Sequence, residues 1–145
     1  MSRMIEESDR RRVVVVLVVG VVLMLGYWIA WYADRSLVAS NARSAYYEFE
    51  NAFPLADAWL TVALIGAAWT LSHHSPMALF WLLAGGGAGL YLFGMDVLYD
   101  LENGIWWNSG AGGVIELVIN LVTLVVSGWL LRWAWTRRTA LLAGT

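Results

Sequence analysis

Residues 13–33 read VVVVLVVGVVLMLGYWIAWYA, an uninterrupted apolar run that directly follows Arg10, Arg11 and Arg12. The run has about the 20 residues that a helix needs to cross the hydrocarbon core of a bilayer. A secretory signal peptide has a shorter apolar core of about 7 to 15 residues, followed by a cleavage site of small residues. We therefore predict an uncleaved transmembrane helix over 13–33.

Three further apolar runs follow, over 55–72, 77–101 and 114–135. Each run is continuous, whereas the strands of a membrane barrel alternate apolar and polar residues over about ten positions. Short connections between the later runs make their helices antiparallel neighbours. The predicted fold is an all-α integral membrane protein, with residues 1–145 forming one domain, a four-transmembrane-helix bundle.

The connection between the first two runs contains an aromatic and acidic stretch, residues 44–53, which ends immediately before Pro54. Two readings are open: a short interfacial helix along the membrane surface, or an aromatic-rich loop. Pro54 suits the first turn of the helix that follows, where its missing N–H costs nothing.

Composition supports a membrane protein and excludes several functions. Hydrophobic residues make up 60% of the chain and charged residues 14%, against about 25% charged in soluble domains. The lipid bilayer is thus a predicted partner, and nothing in the charge pattern supports binding to nucleic acid. Cysteine is absent, which excludes disulfides, thiolate metal sites and cysteine nucleophiles.

Arginine residues are concentrated beside the first and fourth runs. Those near the two termini are Arg3, Arg10, Arg11, Arg12, Arg132, Arg137 and Arg138. The first loop has only Arg35 and Arg43, and the third loop has no basic residue. By the positive-inside rule, we expect both termini in the cytoplasm, with the plasma membrane as the expected location.

Acidic residues gather at the opposite ends of the same runs. They are Glu48, Glu50, Asp57, Asp96, Asp100, Glu102 and Glu116. We expect Glu48, Glu50 and Glu102 to be surface charges and the other four to converge on one outward-facing surface. Ionisable side chains within or at a bilayer are costly and tend to mark functional sites.

Two helical spacings sharpen this expectation. Asp96 and Asp100 are four residues apart, so both project from one face of a helix and repel each other. Three resolutions are open: pairing with Arg35 or Arg43, protonation of one carboxyl group, or binding of an external cation. In the fourth run, Glu116, Asn120, Thr123 and Ser127 form one polar stripe, which we expect to face other helices or water.

We therefore hypothesise an acidic, Trp-lined cavity that binds, and in one version transports, a small polar or cationic ligand. The candidate ligand-binding residues are Asp57, Asp96, Asp100, Glu116, Asn120, Trp31, Trp106 and Trp107. Carboxylates suit hard cations, and aromatic faces suit organic cations. The spacing identifies no particular metal or cofactor, and the tryptophans have an alternative role in the aromatic belts at the membrane interfaces.

A non-catalytic alternative rests on residues 84–89, AGGGAG, in the third run. Gly85 and Gly89 have the small-xxx-small spacing that lets membrane helices pack closely. That packing occurs either inside the bundle or against a partner, which would make the chain an accessory or scaffold subunit or a homo-oligomer. Known catalytic motifs are missing, so an embedded acid–base enzyme acting on a lipid or isoprenoid is the least favoured hypothesis.

Overall fold

A computed structural model describes residues 5–144, so Arg3, counted above among the basic residues, lies outside the described part. All regular structure in residues 5–144 is helical. The helices are α1 (Glu7–Asp34), a 3-10 helix (Arg35–Leu37), α2 (Ser44–Glu50), α3 (Pro54–Ser72), α4 (Met77–Asn103), α5 (Ile105–Asn108), α6 (Ala111–Thr136) and α7 (Arg138–Leu142). Helices α1, α3, α4 and α6 are long and apolar enough to cross a membrane. The predicted all-helical fold with four candidate transmembrane helices is confirmed.

The long helices extend beyond the apolar runs that predicted them. Helix α1 begins at Glu7 rather than at Val13, and α6 begins at Ala111 rather than at Val114. Hydropathy marks only the part of a helix that suits hydrocarbon, whereas the backbone hydrogen bonds continue through flanking polar residues. The Arg10 N–H, for example, donates to the Glu6 carbonyl at 3.0 Å.

The four long helices pack in the order α1, α3, α4, α6. Helix α3 packs against both α1 and α4, and α4 packs against α6. In the most apolar stretch of the spans that contain α3 and α4, 39% and 33% of residues are buried. The corresponding shares are 11% for α1 and 17% for α6. Helices α3 and α4 therefore form the centre of the bundle, while α1 and α6 expose apolar side chains that suit contact with lipid.

The glycine-rich segment of α4 packs inside the bundle. Gly85 faces Ala63 and Leu64 of α3, while Gly86 and Gly89 face Ser127 of α6. Because all three glycines are buried, the small-residue face is occupied by the chain's own helices. Of the two arrangements left open by the sequence, these glycines adopt the internal one.

The bundle has two chemically different ends. The acidic end comprises the end of α1, helix α2, the beginning of α3, the end of α4, helix α5 and the beginning of α6. The basic end comprises the beginning of α1, the α3–α4 turn, the end of α6 and helix α7. At the basic end, the buried Arg10 donates from Nη1 to the Leu71 carbonyl at 2.9 Å, which joins α1 to the last turn of α3.

Local chemistry defines the helix boundaries at the acidic end. Gly104 ends α4 in the left-handed region, with φ of 65°, and its N–H donates to the Asp100 carbonyl; glycine adopts this conformation without steric cost. Pro54 lies in the first turn of α3, as predicted. Helix α2 forms within 44–53, and its Tyr46 and Glu50 are buried, so it packs into the acidic end.

Candidate functional site

Carboxyl groups from four helices meet at the acidic end. We call them the acidic cluster: Glu50 of α2, Asp57 of α3, Asp96 and Asp100 of α4, and Glu116 of α6. Asp96 lies close enough to the four other carboxyl groups for their negative charges to act on its own. The structure therefore brings the four predicted carboxylates together and adds Glu50 to them, while their role in ligand binding stays a prediction.

Aromatic residues of α1 hold two members of the cluster. The Trp28 Nε1–H donates to Asp57 Oδ2 at 2.9 Å, and the Tyr27 hydroxyl donates to Glu50 Oε2 at 2.8 Å. Asp57 and Glu50 are 9% and 8% exposed, so these hydrogen bonds replace most of their contact with water. Consecutive residues of α1 thus connect the first helix to both α2 and α3.

Asp100 is the most deeply buried carboxyl group of the cluster. It is 2% exposed, and its Oδ2 accepts hydrogen bonds from Trp106 Nε1 at 2.7 Å and from Asn120 Nδ2 at 2.8 Å. Asn120 is also 2% exposed, and its Oδ1 has no hydrogen-bond partner in residues 5–144. A buried amide oxygen without a donor is uncommon and calls for a ligand, water or another explanation.

Glu116 is held by a hydrogen bond from Tyr46 of α2. The Tyr46 hydroxyl donates to Glu116 Oε1 at 2.7 Å and accepts from the Ser40 N–H at 3.4 Å. Gly112 makes this approach possible, because a Cβ there would lie 2.9 Å from the Ser40 Cα. The loop before α2 and the first turn of α6 are therefore in close contact beside the cluster.

Asp96 has the fewest partners in the cluster. No side chain or backbone group in residues 5–144 donates a hydrogen bond to it, although it is half-buried. It lies one helical turn before Asp100 on α4, which places the two carboxylates on one face. Asp96 is thus the cluster carboxylate that is free to accept a hydrogen bond from a bound molecule.

No cationic side chain in residues 5–144 forms an ion pair with the cluster. The ion pairs in this part of the chain involve Asp9 and Glu7 and lie at the basic end. At the acidic end, Arg35 lies over the rings of Trp31 and Tyr47. Pairing with Arg35, one of the resolutions foreseen from the sequence, is therefore not observed.

Arg43 is likewise directed away from the carboxylates. Its Nη2 donates to the Asn103 carbonyl at 3.1 Å, and its Nε donates to Asn41 Oδ1 at 3.2 Å. The remaining resolutions are protonation and an external cation. Both stay open, because the described part of the chain provides no counter-charge within ion-pair distance.

The predicted tryptophans occupy different environments. Trp106 bonds to Asp100, as described. Trp31 is 2% exposed and donates to Asn51 Oδ1 at 3.2 Å, so it packs beside the cluster and has no hydrogen bond with a carboxylate. Trp107 is 62% exposed and contacts the edge of Trp106, which suits the interfacial-belt alternative.

The sequence predicts Glu50 at the surface, does not single out Tyr27, and places Tyr46 only within the aromatic and acidic stretch of residues 44–53. The expectation that Glu50 is a surface charge is wrong, because α2 turns it inward to Tyr27; Glu48 and Glu102 are exposed, as expected. The available signal was the four-residue spacing of Tyr46 and Glu50, which places both on one face of a helix. It was ambiguous because the stretch could equally have been a loop.

The polar stripe of α6 is divided between two roles. Glu116 and Asn120 belong to the acidic end, while Ser127 is buried against Gly89 of α4.

Within residues 5–144, no three His, Cys, Asp or Glu side chains are positioned to hold one metal ion. We found no protein-family model, curated protein or solved structure with a significant match to this chain.

Proposed function

We propose that this chain is a small polytopic membrane protein that binds a cationic ligand at the acidic cluster. The observation that carries the proposal is the convergence of the cluster's carboxylates without an ion-pair partner in residues 5–144. Carboxylates crowded in a poorly solvated region repel one another unless a cation or protons compensate their charge. A bound cation would supply that compensation.

The surroundings of the cluster favour an organic cation. Tyr27, Trp28, Tyr46 and Trp106 each donate a hydrogen bond to a cluster carboxylate. Their rings are therefore fixed beside the negative charge. Aromatic faces attract ammonium groups, and carboxylates add direct charge attraction.

The unpaired oxygen of Asn120 restricts the ligand further. Asn120 Oδ1 is a buried acceptor without a donor, and Asp96 accepts no hydrogen bond in the described part of the chain. A primary or secondary ammonium carries N–H donors for such acceptors, whereas a quaternary ammonium carries none. We therefore propose a protonated amine as the ligand class.

The arginine distribution supports a proposed orientation of the site. In this proposal the chain lies in the plasma membrane, and its basic end faces the cytoplasm. The acidic cluster then opens to the outer side. Transport is a further step beyond binding, and it requires the ligand to pass from the cluster through the apolar centre of the bundle.

Binding is tested in purified full-length protein with methylammonium and tetramethylammonium as probes. We expect methylammonium to change the tryptophan fluorescence, because Trp28 and Trp106 contact cluster carboxylates, and we expect tetramethylammonium to bind more weakly. Asp96→Asn and Glu116→Gln should each weaken methylammonium binding about tenfold, which corresponds to the loss of one charge-assisted interaction.

Glu102→Gln is the matched control, because it removes one carboxylate charge from the exposed surface of the same end. Its affinity for methylammonium should stay within about twofold of the wild type. If both cluster variants bind methylammonium as the wild type does, or if Glu102→Gln has the same effect as they do, the proposed site is wrong.

A further inference from the structure

A pocket lies at the basic end, between the beginning of α1 and the end of α6. It has a volume of about 280 Å³ and is lined by Asp9, Arg12, Trp129, Arg132, Trp133, Thr136 and Arg137. This pocket is at the opposite end of the bundle from the acidic cluster. Its chemistry is therefore independent of the proposed function.

The pocket has an excess of positive charge. Asp9 is the one carboxylate in its lining, and it is already engaged by Arg137 at 3.0 Å and by Arg12 at 3.8 Å. The guanidinium of Arg132 forms no hydrogen bond or ion pair in residues 5–144. The exposed Arg132 therefore lines the pocket without a competing anion on its guanidinium group.

Guanidinium groups are well suited to bind phosphate. The planar fork of arginine matches two phosphate oxygens, and such charge-assisted hydrogen bonds are stronger than neutral ones. In this pocket, Arg137 is also fixed in position, since its guanidinium carbon lies 4.9 Å from the ring centroid of Trp133. One oriented and one unpaired arginine thus line the same pocket.

The position of the pocket points to a lipid as the source of the phosphate. Helices α1 and α6, whose ends form the pocket, are the two long helices with the smallest buried share of residues in their apolar spans, 11% and 17%. The pocket is also lined by Trp129 and Trp133, and tryptophan is enriched at the membrane–water interface. Basic pockets between transmembrane helices at this level bind anionic headgroups.

We propose that the pocket formed by Arg12, Arg132 and Arg137 binds the phosphate headgroup of an anionic phospholipid. The phosphate oxygens accept hydrogen bonds from the free guanidinium of Arg132. Arg12 and Arg137 add positive charge while they keep Asp9 neutralised. The acyl chains then extend along the exposed apolar surfaces of α1 and α6.

The test uses the detergent-solubilised full chain and short-chain lipids. Dioctanoyl phosphatidylglycerol should raise the Tm of the wild type, because a ligand that binds only the folded state stabilises it. Dioctanoyl phosphatidylcholine, which has no net charge, should raise it much less. Glycerol phosphate without acyl chains should produce little shift, and an equal shift would overturn the assignment to a lipid.

The variant Arg132→Gln should weaken phosphatidylglycerol binding about tenfold, as read from the lipid concentration that gives half of the Tm shift. Arg11→Gln is the control, because Arg11 is exposed at the same end and does not line the pocket. An affinity for phosphatidylglycerol that falls equally in both variants would reflect total charge and would overturn the site. An unchanged affinity in Arg132→Gln would also overturn it.

Discussion

The substitution Gly86→Leu is expected to lower the free energy of unfolding by about 3 kcal/mol, the upper end of the usual cost of overpacking. A Cβ at Gly86 would lie 2.7 Å from Leu131 Cγ and 3.2 Å from the Ser127 carbonyl oxygen. The Leu131 side chain can move, but the backbone oxygen of Ser127 moves only if α6 moves. A leucine at this position therefore separates α4 from α6.

The adjacent substitution Gly87→Leu is the matched control. Apart from its chain neighbours and the backbone of its own helix, no heavy atom in residues 5–144 lies within 4 Å of a Cβ built at Gly87. Leucine also has a higher helix propensity than glycine by up to about 1 kcal/mol. We expect this variant to be as stable as the wild type or slightly more stable. The two variants share the same chemical change in neighbouring residues, so their comparison isolates the packing against α6.

Both proteins are compared by thermal unfolding in the same detergent, followed by far-ultraviolet circular dichroism and by retention of the folded species on gel filtration. Equal Tm values for Gly86→Leu and the wild type would contradict internal packing of this face. A destabilised Gly87→Leu would instead indicate that an assembly partner covers the outer side of α4.

The substitution Asp100→Leu is expected to destabilise the acidic end by about 3 kcal/mol. Trp106 Nε1 and Asn120 Nδ2 both donate to Asp100 Oδ2, and Asn120 is 2% exposed. Leucine removes the shared acceptor and leaves both donors without a partner, at about 1 to 3 kcal/mol for each buried group. The substitution removes the side-chain hydrogen bonds that tie Trp106 of α5 and Asn120 of α6 to the last turn of α4.

Asp100→Asn separates the hydrogen bonds from the charge. Its amide oxygen can still accept a hydrogen bond, and its neutrality removes repulsion from the neighbouring Glu116. We expect its stability within about 1 kcal/mol of the wild type, as for exchange of one hydrogen-bond acceptor for another. Tm and the near-ultraviolet dichroism of the tryptophans report both variants.

A large loss of stability in Asp100→Asn, equal to that in Asp100→Leu, would mean that the negative charge itself holds this end together. Such a result would require a cation bound next to Asp100 in the purified protein. Unchanged stability in Asp100→Leu would contradict the hydrogen-bond network. The two variants therefore distinguish a structural network from a charge-dependent one.

Residues 13–33 and the three later apolar runs were sufficient to predict four long helices. A continuous run of apolar residues has one stable arrangement in hydrocarbon, because a helix satisfies all of its own backbone hydrogen bonds. The helix ends were less predictable. Helix α1 begins at Glu7, because its first turns consist of charged residues that form a helix but do not raise the hydropathy of the sequence.

The acidic residues show the limit of sequence reasoning most clearly. Asp96 and Asp100 could be placed on one face from their spacing, since helical geometry is local. Glu50 was expected at the surface and is buried against Tyr27. Its position depends on how α2 folds back onto α1, and a spacing within one segment carries no information about that contact.

The sequence by itself determined the class of protein, the four helices and the separation of acidic from basic ends, because these depend on local composition and periodicity. Only the tertiary structure decided that Gly85 and Gly89 pack inward, that Glu50 joins the acidic cluster, and that Asn120 Oδ1 is left without a donor. Each of these facts is a contact between helices far apart in the chain. Such contacts depend on how the side chains of one helix pack against those of another. Composition and periodicity within one segment do not specify that packing.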